Sequence, residues 1–160
     1  MTHEQAPWEA GWGAAVACTA ALVVLIFAPS FAGGDVRSLV MAAFSGVCHQ
    51  MPSRSPHVGG IQLAVCDRCL GIYLALAAAA TIYPLARFVD DPLGRHAGLA
   101  ILIGVLVPGA DWVVDVLGLW SNTPASRLMT GAVFGVVAGY YFTGGLVGLI
   151  DGNRDGREET

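Results

Sequence analysis

Three of the four cysteines fall in one short window of the chain. Cys48 comes first, and Cys66 and Cys69 follow in the run Cys66-Asp67-Arg68-Cys69, with His49 and His57 between. Thiolates and imidazoles are the ligands of tetrahedral zinc, and Cys3His is one of its standard donor sets, with another transition metal as the alternative. This reading makes Cys48, Cys66 and Cys69 metal ligands, with His49 the favoured fourth and His57 the alternative. Neighbouring side chains on a helix point about 100° apart, so Cys48 and His49 can share an ion only across a local break in the backbone. The same thiols admit two other chemistries. A CxxC at a helix N-terminus has its thiolates stabilised by the helix dipole, so Cys66 and Cys69 could form a redox pair with Cys48 as exchange partner. The set could also be a structural clip, either a disulfide or a metal. Cys18 stands alone among alanines and valines and reads as a small core residue.

A second set is ionic. Asp111 and Asp115 are four residues apart and share one helix face inside an otherwise apolar run. Carboxylates are costly to solvate at membrane depth, so they face a bundle interior and carry function. As catalytic candidates, either could be the general base towards a metal-bound water. Arg54, Arg68 and Arg127 are the matching cations, placed to pair with those carboxylates or to hold the anionic group of a lipid or small substrate.

The elements that position these residues are membrane spans. Hydrophobic residues make up 55% of the 160-residue chain and charged ones only 12%, about half the usual share. With eight arginines, no lysine and a net charge of -4, the chain lacks the basic face that nucleic acid requires. It also lacks the polarity of a disordered segment. Charge is absent from Ala10 to Gly34, from Cys69 to Ala86 and from Leu128 to Ile150. His96 to Trp120 is apolar apart from the two aspartates, and Trp112 and Trp120 suit an interfacial belt. A hydrocarbon core needs roughly 20 apolar residues in a helix. The pattern predicts one all-α membrane domain, a four-helix bundle with spans at about 12–31, 69–87, 97–119 and 128–150. Residues 32–68 form a long Cys/His loop and 151–160 a polar tail. The leader Met1–Gln5 is acidic, which marks the first span as retained rather than as a signal peptide.

Four spans place both ends of the chain and the loop Arg87–Arg95 on one side. The long loop, the end of the third span and the loop Ser121–Arg127 lie on the other. Every candidate ligand and ionic residue therefore converges on one membrane face. Arginines divide evenly between the sides; because three of those on the ligand face sit in the ionic cluster, the termini are expected to be cytoplasmic. Within the long loop, Asp35 is placed to cap an amphipathic helix carrying Val36, Leu39, Val40, Ala43, Phe44 and Val47, on the membrane surface or against the bundle. Pro52 and Pro56 forbid regular helix after it, and Gly59-Gly60 allows a turn. Gly131, Gly135 and Gly139 recur every four residues, a pattern that lets helices approach closely. Packing within the chain is the expected use of that face, and no oligomer is implied.

These motifs together resemble a known signature. Cys48-His49-Gln50, Pro52-Ser53-Arg54-Ser55 and Cys66-Asp67-Arg68-Cys69-Leu70-Gly71-Ile72-Tyr73 resemble that of a family of small prokaryotic membrane proteins classed as a domain of unknown function. Pro108 with Asp111, and Arg127-Leu128-Met129-Thr130-Gly131 with Gly135, are similar to its later motifs. The chain departs from that pattern at Pro56, where an aromatic is common, and at Trp112, where glycine is common. The resemblance implies a prokaryotic membrane protein with this polar constellation and assigns it no reaction.

Overall fold

A helix satisfies its own backbone polar groups, which is why apolar runs destined for lipid fold as helices. The computed structural model describes residues 7–88 and 95–158. It contains α1 (Pro7–Phe27), α2 (Gly34–Ser45), α3 (Asp67–Phe88), α4 (Ala97–Val116) and α5 (Pro124–Glu158). Between α2 and α3 lie a 3-10 turn, Pro52–Arg54, and an antiparallel hairpin of β1 (His57–Val58) and β2 (Ile61–Gln62), with His57 opposite Gln62. Four stretches are long and apolar enough to cross a membrane: Trp8–Ser30, Asp67–Ala86, Ala97–Val116 and Pro124–Ile150. The fold is an all-α membrane bundle. The leader Met1–Gln5 and most of the expected loop Arg87–Arg95, residues 89–94, lie outside the described residues.

Several element ends differ from the pattern-based expectation, each for a local reason. The third span stops at Val116, because Gly118 turns the chain with φ +69°, and Trp120 lies beyond the helix. The fourth begins at Pro124, where Thr123 accepts the Ser126 backbone N–H at 3.1 Å on its side-chain oxygen. That helix continues to Glu158, through what was expected to be a polar tail, since extending an existing helix is far cheaper than nucleating one. Asp35 is not the cap of α2. Gly33 holds that position and Asp35 sits in the first turn, where its charge faces the positive end of the helix dipole. Cys18 is exposed on the outer side of α1 rather than packed in the core.

Helix α5 is the centre of the bundle and packs on α3, α1 and α4. The glycine repeat makes its contact with α3 close. A β-carbon on Gly139 would lie 2.6 Å from the Leu76 carbonyl and 2.9 Å from the Ala79 side chain, and Gly131 and Gly135 abut the Arg68 and Ile72 carbonyls. Gly71 of α3 meets the Leu128 carbonyl in return, and Gly11 of α1 abuts the Val147 backbone. The small-residue face is therefore used within the chain, as expected. Leu99, Leu102, Val105 and Leu106 of α4 stay exposed, an apolar surface suited to lipid.

Helix α2 splits its apolar stripe. Val40 and Phe44 are buried with Ile26 of α1 and Leu63–Val65, and Phe44 meets the Tyr73 ring edge-on at 5.9 Å. Val36, Leu39 and Val47 remain exposed. The segment Leu63–Val65 is buried beneath, and the Ala64 N–H donates to the Ile26 carbonyl at 3.2 Å. That contact fixes the height at which Cys66 enters α3.

Candidate metal centre

The cysteines come together because three separate backbone devices aim them. After α2 ends, the Cys48 N–H donates to the Phe44 carbonyl at 2.9 Å, and the Cys48 side chain turns inward to 4% exposure. Gln50 then adopts φ +49°, a left-handed conformation uncommon outside glycine. Its amide repays the strain by donating to the Met41 and Ala64 carbonyls, both at 2.8 Å, while the Gln62 amide donates to the Gln50 carbonyl at 2.7 Å. Gln50 thus staples the end of α2 to the strand that leads into Cys66. Cys66 precedes the first residue of α3, and its carbonyl accepts the Leu70 N–H at 2.8 Å. Cys69 is the third residue of the helix.

The sulfurs of Cys48, Cys66 and Cys69 lie within 4.8 Å of one another, and all three thiols are free. The Cys66 backbone N–H donates to the Cys48 sulfur at 3.2 Å. Hydrogen bonds from the Cys66 and Cys69 side chains, with that N–H, hold the Cys48 thiol far below the ordinary thiol range, against the opposing effect of burial. His49 is not in this triangle. It stands exposed on the wall of the adjoining cavity, because the chain turns between neighbouring residues and only Cys48 points inward. His57 is exposed on the hairpin.

The ionic residues form a second layer. Arg68 pairs with Asp111, joining α3 to α4. Arg54 pairs with Asp115 at 3.2 Å, joining the loop to α4, and Arg127 pairs with Asp67 at 3.6 Å, joining α5 to α3. Pattern reasoning missed Asn122, which is buried. Its side-chain amide donates to the Asp111 carbonyl at 2.8 Å and to the Asp111 carboxylate at 2.9 Å, and its backbone N–H donates to Asp115 at 3.2 Å. The Thr130 hydroxyl is 3.3 Å from the same Asp111 oxygen. Asn in a short loop between helices is common, so the sequence carried no signal for this role. Gln50 was visible only as a neighbour of Cys48 and His49.

A cavity of about 290 Å³ opens over the sulfur triangle. Cys48, Cys66 and Cys69 line it with His49, and all three arginines border it; Asp111 and Asp115 do not. The residues from Cys48 to Tyr141 match the family model described as a predicted membrane protein, DUF2085. The chain belongs to this family. The family match begins at the first cysteine of the triangle and takes in every residue of the ionic layer. An uncharacterized protein of Methanocaldococcus jannaschii, MJ1492, is 36% identical over 101 residues, which are 62% of this chain and 64% of that one. The chain thus spans a little under two thirds of the length of that relative. No solved structure matches. In this DUF2085 chain, three soft donors on one side of a cavity can hold a metal ion. The other walls offer guanidinium N–H donors and apolar surface from Ile72 and Trp112.

Proposed function

We propose that the protein is an integral membrane metalloprotein that holds one zinc ion through Cys48, Cys66 and Cys69 at one membrane face. The observation that carries this reading is the convergence of three sulfurs within 4.8 Å at the end of the bundle where α3 begins. A zinc–sulfur bond of about 2.3 Å sets tetrahedrally arranged sulfurs about 3.8 Å apart. Small side-chain rotations therefore suffice to seat the ion. Sulfur donors favour zinc over magnesium or calcium, which take oxygen ligands. The Cys66 N–H on the Cys48 sulfur supports thiolate charge, as outer hydrogen bonds do in metal sites. Asp111 and Asp115 act through the arginines they hold, since each is engaged in an ion pair and stands behind the cavity wall. They are positioning residues in this reading, not bases.

We place the chain termini in the cytoplasm and the metal site on the opposite face. Three of the four arginines on the site face, Arg54, Arg68 and Arg127, are paired with carboxylates there, which supports this orientation. Reporter fusions at the C-terminus read this orientation directly. The test of the metal is elemental analysis of purified protein with a count of free thiols. About one equivalent of zinc, lost in the Cys66→Ser, Cys69→Ser double variant, is expected. Metal-free protein with a Cys66–Cys69 disulfide would overturn it in favour of a redox pair.

A further inference from the structure

Tetrahedral zinc needs four donors, and the triangle supplies three. Among the described residues, no other strong ligand joins them. His49 lies outside the triangle, and Asp67, Asp111 and Asp115 are each engaged by an arginine. Closed structural sites complete their four positions from the chain, whereas sites that bind something keep one open. The open side here faces the cavity.

That cavity is rich in donors and short of acceptors. Arg54, Arg68 and Arg127 each use one terminal nitrogen on a carboxylate, and a guanidinium carries five N–H donors. The Nε–H groups of Arg68 and Arg127 are buried without an acceptor. The carboxylates that balance these cations sit behind the wall, so apart from the sulfurs the charged groups bordering the space are the three guanidiniums. A volume of about 290 Å³ lies at the lower end for small-molecule sites. Resting on the zinc reading above, we infer that the fourth metal position is taken from outside the chain by a small oxyanion, seated against Arg54, Arg68 and Arg127. Phosphate is its simplest form, whether as a free ion or as the head group of an anionic lipid entering past Trp112.

The experiment loads the full chain with cobalt(II) in a phosphate-free maltoside detergent and follows the thiolate-to-cobalt and d–d absorption bands. Inorganic phosphate is titrated in one arm and short-chain phosphatidic acid in the other. A saturable change in the d–d bands is expected, and Arg54→Gln should weaken the anion about 10-fold or more while cobalt still binds. Arg54 is the safe variant because its side chain is 42% exposed. His49→Ala should leave cobalt affinity within about 3-fold. A response to the lipid alone assigns the head group, and a response to phosphate alone assigns the free ion. Silence in both arms would overturn the anion seat, and with it an altered band in His49→Ala would assign the fourth position to the chain. A response that Arg54→Gln leaves unchanged would overturn the arginine seat. Absence of any thiolate-to-cobalt band is a different failure, that of the metal reading itself.

Discussion

Replacing Asp67 with asparagine tests whether α5 holds the metal loop in place. Asp67 lies between Cys66 and Cys69, and its carboxylate faces Arg127 of α5 at 3.6 Å, with only 9% and 14% of the two side chains exposed. At an effective dielectric of 20, that separation gives a gross attraction of about 4.6 kcal/mol. Most of it is offset by desolvating both charges, but stranding one of them still costs about 3–5 kcal/mol. Because Arg127 borders the cavity and can recover some water, the lower end applies, and Asp67→Asn should cost about 3 kcal/mol. Arg127→Met should cost less, since a stranded carboxyl can take up a proton. The double variant has no stranded charge and should fall short of the sum by about 2 kcal/mol. Reversible unfolding in mixed detergent and dodecyl sulfate micelles measures all three. Zinc titration of the same samples should show Asp67→Asn weakened about 10-fold, the lower edge for residues that orient metal ligands. Costs that add to within about 0.5 kcal/mol would refute the coupling and release α5 from any part in shaping the site.

Gly139→Ala should destabilise the bundle by about 1–3 kcal/mol in the same unfolding assay, since its β-carbon meets α3 backbone, whereas Gly145→Ala, with open space beside it, should change stability by less than about 0.5 kcal/mol. Asn122→Ala removes the side-chain donors to the Asp111 carbonyl and carboxylate, while the backbone N–H to Asp115 stays, and should cost about 1–3 kcal/mol, read as a lowered unfolding midpoint. Zinc affinity should fall as pH falls, because protons compete for thiolates; as hydrogen bonds from its neighbours hold the Cys48 thiol well below the ordinary thiol range, loading at neutral pH should release fewer than three protons per zinc, counted with an indicator dye in weak buffer. In vesicles, with the four native tryptophans replaced by phenylalanine, a Leu39→Trp substitution, at a position 71% exposed on α2, should give emission quenched by lipids brominated near the head group, and the absence of quenching would take α2 off the membrane surface.

The spans were legible because charge is absent from long stretches, and a charge-free run of about 20 residues has few other fates. Counting spans then brought the cysteines, arginines and aspartates to one face without any knowledge of side-chain geometry. What the pattern could not carry was direction. Cys48 and His49 are adjacent, and only the turn completed by Gln50 decides that the thiol points in and the imidazole out. Nor could spacing say which arginine meets which aspartate. Arg68 and Asp111 are 43 residues apart, and their pairing depends on how α3 and α4 each pack on α5. Gly118 did announce the early end of the third span, but the apolar residues on both sides of it masked the signal.

The two layers are coupled through charge. Three arginines face three aspartates in pairs, so the ionic layer is neutral as a whole. The charge of the site is then set by the sulfurs and by whatever they bind. Two thiolates within 4.8 Å repel by at least about 3.5 kcal/mol at an effective dielectric of 20, and three would do so pairwise. Without a metal, the triangle can bear one thiolate stabilised by its neighbours' S–H groups, and those hydrogen bonds lower the Cys48 thiol. A divalent ion removes that repulsion, and the protons leave as it enters. Zinc on three thiolates carries one net negative charge, so an added anion is opposed by the metal cluster itself. The cationic edges of Arg54, Arg68 and Arg127 are the groups placed to offset this. Any anion at the fourth position therefore depends on the arginines as much as on the metal, and the aspartates behind them tune that dependence from outside the cavity.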